Sequence, residues 1–230
     1  MQNKWIATKI CFKDNIQSAK LCDRLYTYNK KNTLIFHEKR KKKIFVVLQG
    51  TNNLYHWMHN ISILPTKDDG LHTGFNEYAD VCKQELLNTI TNERLELHMC
   101  DINKIYFTAH SLGASAILIL VYKLLKESIF TNYIKDVNID IVLFGAPKSG
   151  NMEFIRNFHS ILLQYPTIKL YRYNVQYDFV KHYPPILTYS HICKDITLYS
   201  DSTSIMNILY NHSIKCYVDC MIHHLNSEQS

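Results

Sequence analysis

Ser111 stands where two runs of opposite local preference meet. Ile105-Tyr106-Phe107-Thr108 is β-branched and aromatic, whereas Ala114 through Val121 is a run of helix formers, so a strand gives way to a helix at the serine. A sharp strand-turn-helix lifts such a side chain above the sheet edge and aims the first free amides of the helix at whatever it attacks. That geometry suits a nucleophile. It also requires small residues two positions before and after the serine, which here are Ala109 and Gly113; Ala109 departs from the glycine usual at the first of these. An ordinary strand-to-helix turn is the competing reading of these five residues.

A serine hydroxyl needs a base to take its proton, and the base needs a carboxylate to fix its tautomer and stabilise the imidazolium. Behind a nucleophile elbow the partners follow in the order Ser, Asp, His. Asp178 lies just beyond a core strand, at the strand end where open α/β sheets carry their sites, while Asp136, Asp140 and Asp195 read as turn or strand-edge residues. Five histidines follow Asp178: His182, His191, His212, His223 and His224. His212 opens an apolar-periodic segment of Ile214, Tyr217, Val218 and Met221 that could hold an imidazole in place. His182 is close in sequence to Asp178, and His223 and His224 adjoin a polar tail expected to fray. His110 reads as packing, because adjacent residues around a bend point apart, and His72 as a structural histidine.

The elements that would position these groups follow from periodicity. A helix is expected over Asn15 to Tyr26, with Ile16, Ala19, Cys22 and Tyr26 on one side. Two strands, Thr33 to Phe36 and Ile44 to Leu48, flank the basic cluster Lys39-Arg40-Lys41-Lys42-Lys43, which then caps a hairpin as a solvated turn; attraction to anionic lipid is the alternative. Leu54, Trp57, Met58 and Ile61 recur at helical spacing, either as a docked surface helix or as a lid over an apolar cleft. A long helix runs from Asn76 towards His98, with Tyr78, Val81, Cys82, Leu86 and Ile90 inward. Ile139 to Phe144, Ile168 to Tyr173 and Asp195 to Tyr199 are strands, with a helix from about Asn151 to Leu163 and a C-terminal helix or pair of turns from Ser204 to about Met221. No repeat or linker interrupts residues 1–230, so one α/β domain is expected.

Seven groups of residues stand in the order and spacing found in class 3 lipases: Gln49-Gly50-Thr51 with Trp57; His72-Thr73-Gly74-Phe75; Thr108-Ala109-His110-Ser111-Leu112-Gly113-Ala114; Phe144-Gly145-Ala146-Pro147; Asn174 with Asp178 and Val180; Tyr189-Ser190-His191; and His212-Ser213-Ile214 with Tyr217. From Val46 to Tyr217, roughly three quarters of its length, the chain resembles that family. The resemblance implies an α/β-hydrolase fold with a central, mostly parallel sheet. It implies Ser111 as nucleophile, Asp178 as orienting acid, His212 as base, and the Thr51 and Leu112 amides as an oxyanion hole. Leu54, Trp57, Met58 and Ile61 would then serve as lid or acyl-binding residues. Gln49 stands where arginine is common in the family, and Lys181 where proline usually follows the valine.

Composition sets the remaining bounds. With 230 residues, 47% of them hydrophobic and 20% charged, the chain has enough apolar mass for one substantial core, which excludes disordered and collagen-like classes. Seven scattered cysteines and an N-terminus without an apolar signal core lead to the expectation of an intracellular, reduced, cytoplasmic protein. The apolar run Ala114 to Val121 is far short of the roughly 20 residues that span a bilayer. The net charge of +6 comes with no nucleic-acid-binding module, so no nucleic-acid partner is expected. His212, Cys216, Cys220 and His223 could suggest a metal site, but on one helix they would spread over about 16 Å, too far for one ion. The expected function is serine-dependent hydrolysis of a lipid or small ester through an acyl-serine, without cofactor and with transient association with a lipid interface. The alternative is an inactive lipase-like module that binds lipid or a partner.

Overall fold

The computed structural model describes residues 12–27, 32–51, 65–66, 69–92, 102–199 and 203–227. The stripe Leu54, Trp57, Met58 and Ile61 lies outside these residues, as does the stretch 93–98 at the end of the expected long helix. Among the described residues the strands are Thr33–Glu38 (β1), Lys43–Leu48 (β2), Lys104–His110 (β3), Asn138–Phe144 (β4), Gly150–Asn151 (β5), Ile168–Val175 (β6), Tyr189–Ser190 (β7) and Ile196–Leu198 (β8). The helices are Phe12–Thr27 (α1), Thr73–Asn92 (α2), Leu112–Leu124 (α3), Ser128–Tyr133 (α4), Met152–Leu162 (α5), Ile208–His212 (α6) and Ile214–Ser227 (α7).

Six strands form one sheet in the order β1-β2-β3-β4-β6-β8. β1 runs antiparallel to β2, and the other neighbours are parallel. The strands are almost continuously apolar, as expected where both faces are covered by helices. Because side chains alternate along a strand, each one feeds two cores. Ile105, Phe107 and Ala109 of β3 face the side packed by α2, α3 and α5, together with Ile44, Val46 and Leu48 of β2 and Ile139, Ile141 and Leu143 of β4. Tyr106, Phe45, Val47, Val142 and Phe144 face the opposite side, where α1 and α7 pack. By the same alternation His110 falls on the α1–α7 side.

Helix α3 is buried at every position except Lys123, so its all-round apolar sequence reflects its place between the sheet and α2. Each fully buried Leu or Ile there contributes about 1.5–3 kcal/mol relative to exposure. The start of α5 is set by Asn151, whose side-chain oxygen accepts the amides of Glu153 and Phe154 at 2.9 and 3.2 Å. The basic cluster forms the hairpin turn: Lys39–Lys41 is a single 3-10 turn and Lys42 closes it with φ 53°. It lies at the N-terminal end of β2, roughly 20 Å of strand away from the end that carries Ser111.

Several expectations need correction. Val81 is 50% exposed, because α2 buries Phe75, Ala79, Cys82 and Leu86 instead. Asp140 is no strand-edge residue; it is buried within β4, where Lys104 Nζ lies 2.7 Å from its carboxylate and burial raises its pKa. His212 ends the short α6 rather than opening the long segment, since Ser213 is extended (φ −67°, ψ 140°) and breaks the helix before α7. Helix α4 and the β5–β7 pair were not anticipated, being too short for a periodic signal. No helix among the described residues is long and apolar enough to cross a membrane.

Backbone also presses closely on Gly113 near Ser111, where an added Cβ would lie 2.6 Å from the Gln49 carbonyl oxygen and 3.0 Å from that of Leu48. Both are backbone atoms and cannot rotate away. Gly113→Ala should therefore lower unfolding stability by about 1–3 kcal/mol, as overpacking does, measured by urea denaturation; unchanged stability would contradict this packing.

Candidate active site

Ser111 adopts φ 60° and ψ −130°, a conformation that costs a non-glycine residue about 1–3 kcal/mol. Its surroundings hold it there. The Ser111 amide donates to the Phe144 carbonyl at 2.9 Å, its carbonyl accepts from the Ala114 amide at 2.9 Å, and the Ser115 hydroxyl donates to the Pro147 carbonyl at 2.8 Å. The end of β3 and the first turn of α3 are thus tied to the loop after β4. Ala109 is fully buried between Leu48 and Leu143 in register, so a methyl is accommodated where the elbow usually has glycine.

At this bend the fold brings together three residues far apart in sequence. His212 Nε2 lies 2.8 Å from Ser111 Oγ, and His212 Nδ1 lies 2.8 Å from Asp178 Oδ2. Asp178 follows β6 and His212 closes α6, both at the strand ends that carry the elbow. With Nδ1–H donated to the carboxylate, Nε2 is left to accept the serine proton, which is the tautomer a base requires.

Asp178 is 1% exposed yet well supplied with donors. Its Oδ2 also accepts the Tyr217 hydroxyl at 2.6 Å, and its Oδ1 accepts the Val180 amide at 2.9 Å. Burial acts to raise its pKa, but His212, Tyr217 and the Val180 amide outweigh that and hold the carboxyl below its ordinary 3.8. Gly145, with φ +57°, packs against three of these residues: an added Cβ would lie 2.9 Å from Tyr217 Oη, 3.0 Å from Asp178 Oδ2 and 3.1 Å from His212 Cε1. Only a glycine satisfies both the positive φ and the close approach.

His110 is buried beside His212, with their ring centroids 4.7 Å apart. The histidines read as alternative bases are engaged elsewhere or exposed. His191 donates Nε2–H to the Lys181 carbonyl at 2.7 Å, and burial with the nearby Arg172 charge pushes its pKa down to about 3. His182 is exposed beside Phe179, and His223 and His224 lie on α7, which continues to Ser227 rather than fraying at Leu225. His72 is buried in stacked contact with Phe75, and burial lowers its pKa to about 4. Cys22, Cys82, Cys193, Cys216 and Cys220 are free thiols.

Leu112 supplies the first amide of α3. Thr51 follows a turn pressed onto the elbow, since Gly113 abuts the Gln49 carbonyl and Gly50 the His110 carbonyl. The Tyr78 hydroxyl fixes that turn by donating to the Gln49 carbonyl at 3.0 Å. Ser111 is 1% and His212 6% exposed, so in this conformation the pair is shielded from solvent. Tyr26, Gly145 and the Val180 amide escaped the sequence reading as site components. Tyr217 was expected to pack in the apolar segment after His212 and matched a family motif; its spacing from His212 was the available signal for its place in the site.

The lowered pKa of Asp178 has a consequence for stability. A depressed carboxyl stabilises the folded state above its unfolded pKa and ceases to do so as pH falls through the folded value. The stability advantage of wild type over Asp178→Asn should therefore shrink as pH drops below 3.8. Denaturant titrations from about pH 5 to about pH 2 read this directly; an advantage that stays constant or grows towards acid would contradict the assignment.

Residues 45–188 match the family described as Lipase (class 3). The chloroplastic phospholipase A1 PLIP1 of Arabidopsis thaliana is 34% identical over 105 residues, covering 44% of this chain and 15% of that protein. Phospholipase A1-II 1 of Oryza sativa subsp. indica is 24% identical over 203 residues, covering 77% of this chain and 49% of that protein. The chain thus spans about half or less of the length of these relatives. Among solved structures, the native Rhizomucor miehei lipase propeptide complex superposes with TM-score 0.63 at 16% identity, covering 91% of this chain and 79% of that one. Lipase II from Rhizopus niveus does so with TM-score 0.58 at 22% identity, covering 74% and 62%. With the matched region spanning well over half its length, and with its parallel sheet flanked by helices as in those structures, this chain belongs to the class 3 lipase family and has the α/β-hydrolase fold.

Proposed function

We propose that the protein hydrolyses carboxylic esters of lipids through an acyl-serine intermediate. The observation that carries this reading is the unbroken hydrogen-bonded line from Ser111 Oγ through the His212 imidazole to Asp178, with 2.8 Å at both contacts. In the proposed reaction Ser111 Oγ attacks the ester carbonyl as His212 Nε2 takes its proton. Asp178 holds the ring and stabilises the imidazolium. The Leu112 and Thr51 amides receive the developing oxyanion, each such donor contributing about 3 kcal/mol to barrier reduction. The alkoxide leaves with the proton from Nε2, and water, deprotonated by the same nitrogen, then releases the acid and restores the serine. Every step is a proton or acyl transfer that these side chains and amides can perform.

Family membership and the plant phospholipase A1 relatives favour a lipid ester, either acylglycerol or glycerophospholipid.

The test is turnover on short-chain and long-chain chromogenic esters, on emulsified triacylglycerol and on phosphatidylcholine vesicles. Wild type should hydrolyse at least one long-chain lipid ester. Ser111→Ala should fall to background with its melting temperature nearly unchanged, and His212→Ala should lose on the order of 10³-fold or more in turnover. Absence of wild-type turnover on the whole series, or Ser111→Ala activity within a few fold of wild type, would overturn the reading.

A further inference from the structure

The base is held by more than Asp178. The carbonyl oxygen of His212 lies 2.7 Å from His110 Nε2, and since a carbonyl can only accept, that nitrogen carries a proton. His110 Nδ1 lies 2.8 Å from the Tyr26 hydroxyl. Burial, reinforced by His212, pushes the His110 pKa down to about 3, so the ring is neutral near neutral pH and Nδ1 is a bare acceptor. The Tyr26 O–H must therefore donate to it. This fixes the direction of the whole line: Tyr26 O–H to His110 Nδ1, then His110 Nε2–H to the His212 carbonyl.

Tyr26 also touches the other half of the site. Its hydroxyl lies against Gly50, directly over the position a Cβ would take, and Gly50 precedes Thr51 in the turn packed on the elbow. One hydroxyl thus meets both the turn that carries the Thr51 amide and, through His110, the backbone of the base. Tyr26 is on α1, which lies before the residues matched by the family, 45–188. The rings of Tyr26 and His110 meet edge to face at 5.8 Å, and His110 also contacts Tyr217, the donor to Asp178, at 5.7 Å.

We propose that Tyr26 and His110 are positioning residues for the ester hydrolysis described above: a strut of two directed hydrogen bonds from α1 that sets the place of the His212 main chain relative to Ser111 and to the Gly50–Thr51 turn. The inference rests on that functional reading. Tyr26 fixes which nitrogen of His110 bears the proton. Without its hydroxyl, His110 can adopt the Nδ1–H tautomer, the His212 carbonyl loses its donor, and Nε2 of the base moves relative to the serine. Displacements on this scale are expected to lower the rate of the chemical step more than substrate binding.

The test compares Tyr26→Phe, His110→Gln and His110→Phe with wild type on a short soluble ester, with melting temperatures measured alongside. Tyr26→Phe should reduce kcat on the order of 10-fold while KM stays within about twofold. The two His110 variants separate a donor from a space-filler. Gln retains an N–H that can reach the His212 carbonyl, whereas Phe retains only the ring, so kcat should fall in the order wild type, His110→Gln, His110→Phe. A role in packing alone would reverse the last two. Tyr26→Phe within twofold of a functioning wild type, or His110→Phe more active than His110→Gln, overturns the strut. A wild type that turns over no ester in the series instead removes the functional reading itself, and the strut falls with it.

Discussion

A carboxylate taken out of water costs several kcal/mol unless donors surround it, and the arrangement at the strand ends answers that constraint at Asp178. Its two oxygens receive the His212 imidazole, the Tyr217 hydroxyl and the Val180 amide. Each donor comes from a different piece of chain, so satisfying one buried charge fixes α6, α7 and the turn after β6 against each other. Gly145 leaves the space in which they meet. The imidazole is held as a result of this network, because its Nδ1–H is one of the donors the carboxylate needs.

The sheet makes such convergence possible. Parallel strands place their C-terminal ends side by side, so the segments leaving β2, β3, β4 and β6 emerge as neighbours. Strict alternation along β3 then divides labour between adjacent residues. Ala109 packs towards α3, His110 points to α1 and α7, and Ser111 occupies the bend with a positive φ. The strain at Ser111 is sustained by hydrogen bonds to Phe144 and Ala114, which belong to elements anchored in the core. The basic hairpin is at the other end of these strands, so its charge does not act on the serine.

Much of this was legible in the sequence, for identifiable reasons. Strands β2, β3, β4 and β6 and helix α3 are long and apolar, and Ser111 sits where one pattern changes to the other. Asp178 could be read from its place after a core strand. The choice of His212 among five histidines drew on family resemblance and on the apolar segment after it, since proximity to a serine 101 residues away leaves no local trace. Tyr26 shows the same limit: it fitted the apolar side of α1, and nothing in the chain marks that its hydroxyl reaches His110, 84 residues on. Val81 was misread because helical spacing alone admits more than one stripe, and packing against α3 chose the one through Phe75, Ala79 and Cys82. Asp140 was misread because a charged residue in a strand suggests an edge, whereas Lys104 on the neighbouring strand supplies a partner inside the sheet.

The central claim is that Ser111 is made nucleophilic by an imidazole that Asp178 holds in one tautomer. Labelling with a small fluorophosphonate isolates that claim from lipid binding, since the reagent needs only an activated serine and the donors around it. Peptide mapping by mass spectrometry should find one adduct per chain, on Ser111, formed far more slowly in Asp178→Asn than in wild type. An adduct on another residue, or equal labelling rates in the two proteins, would contradict the account.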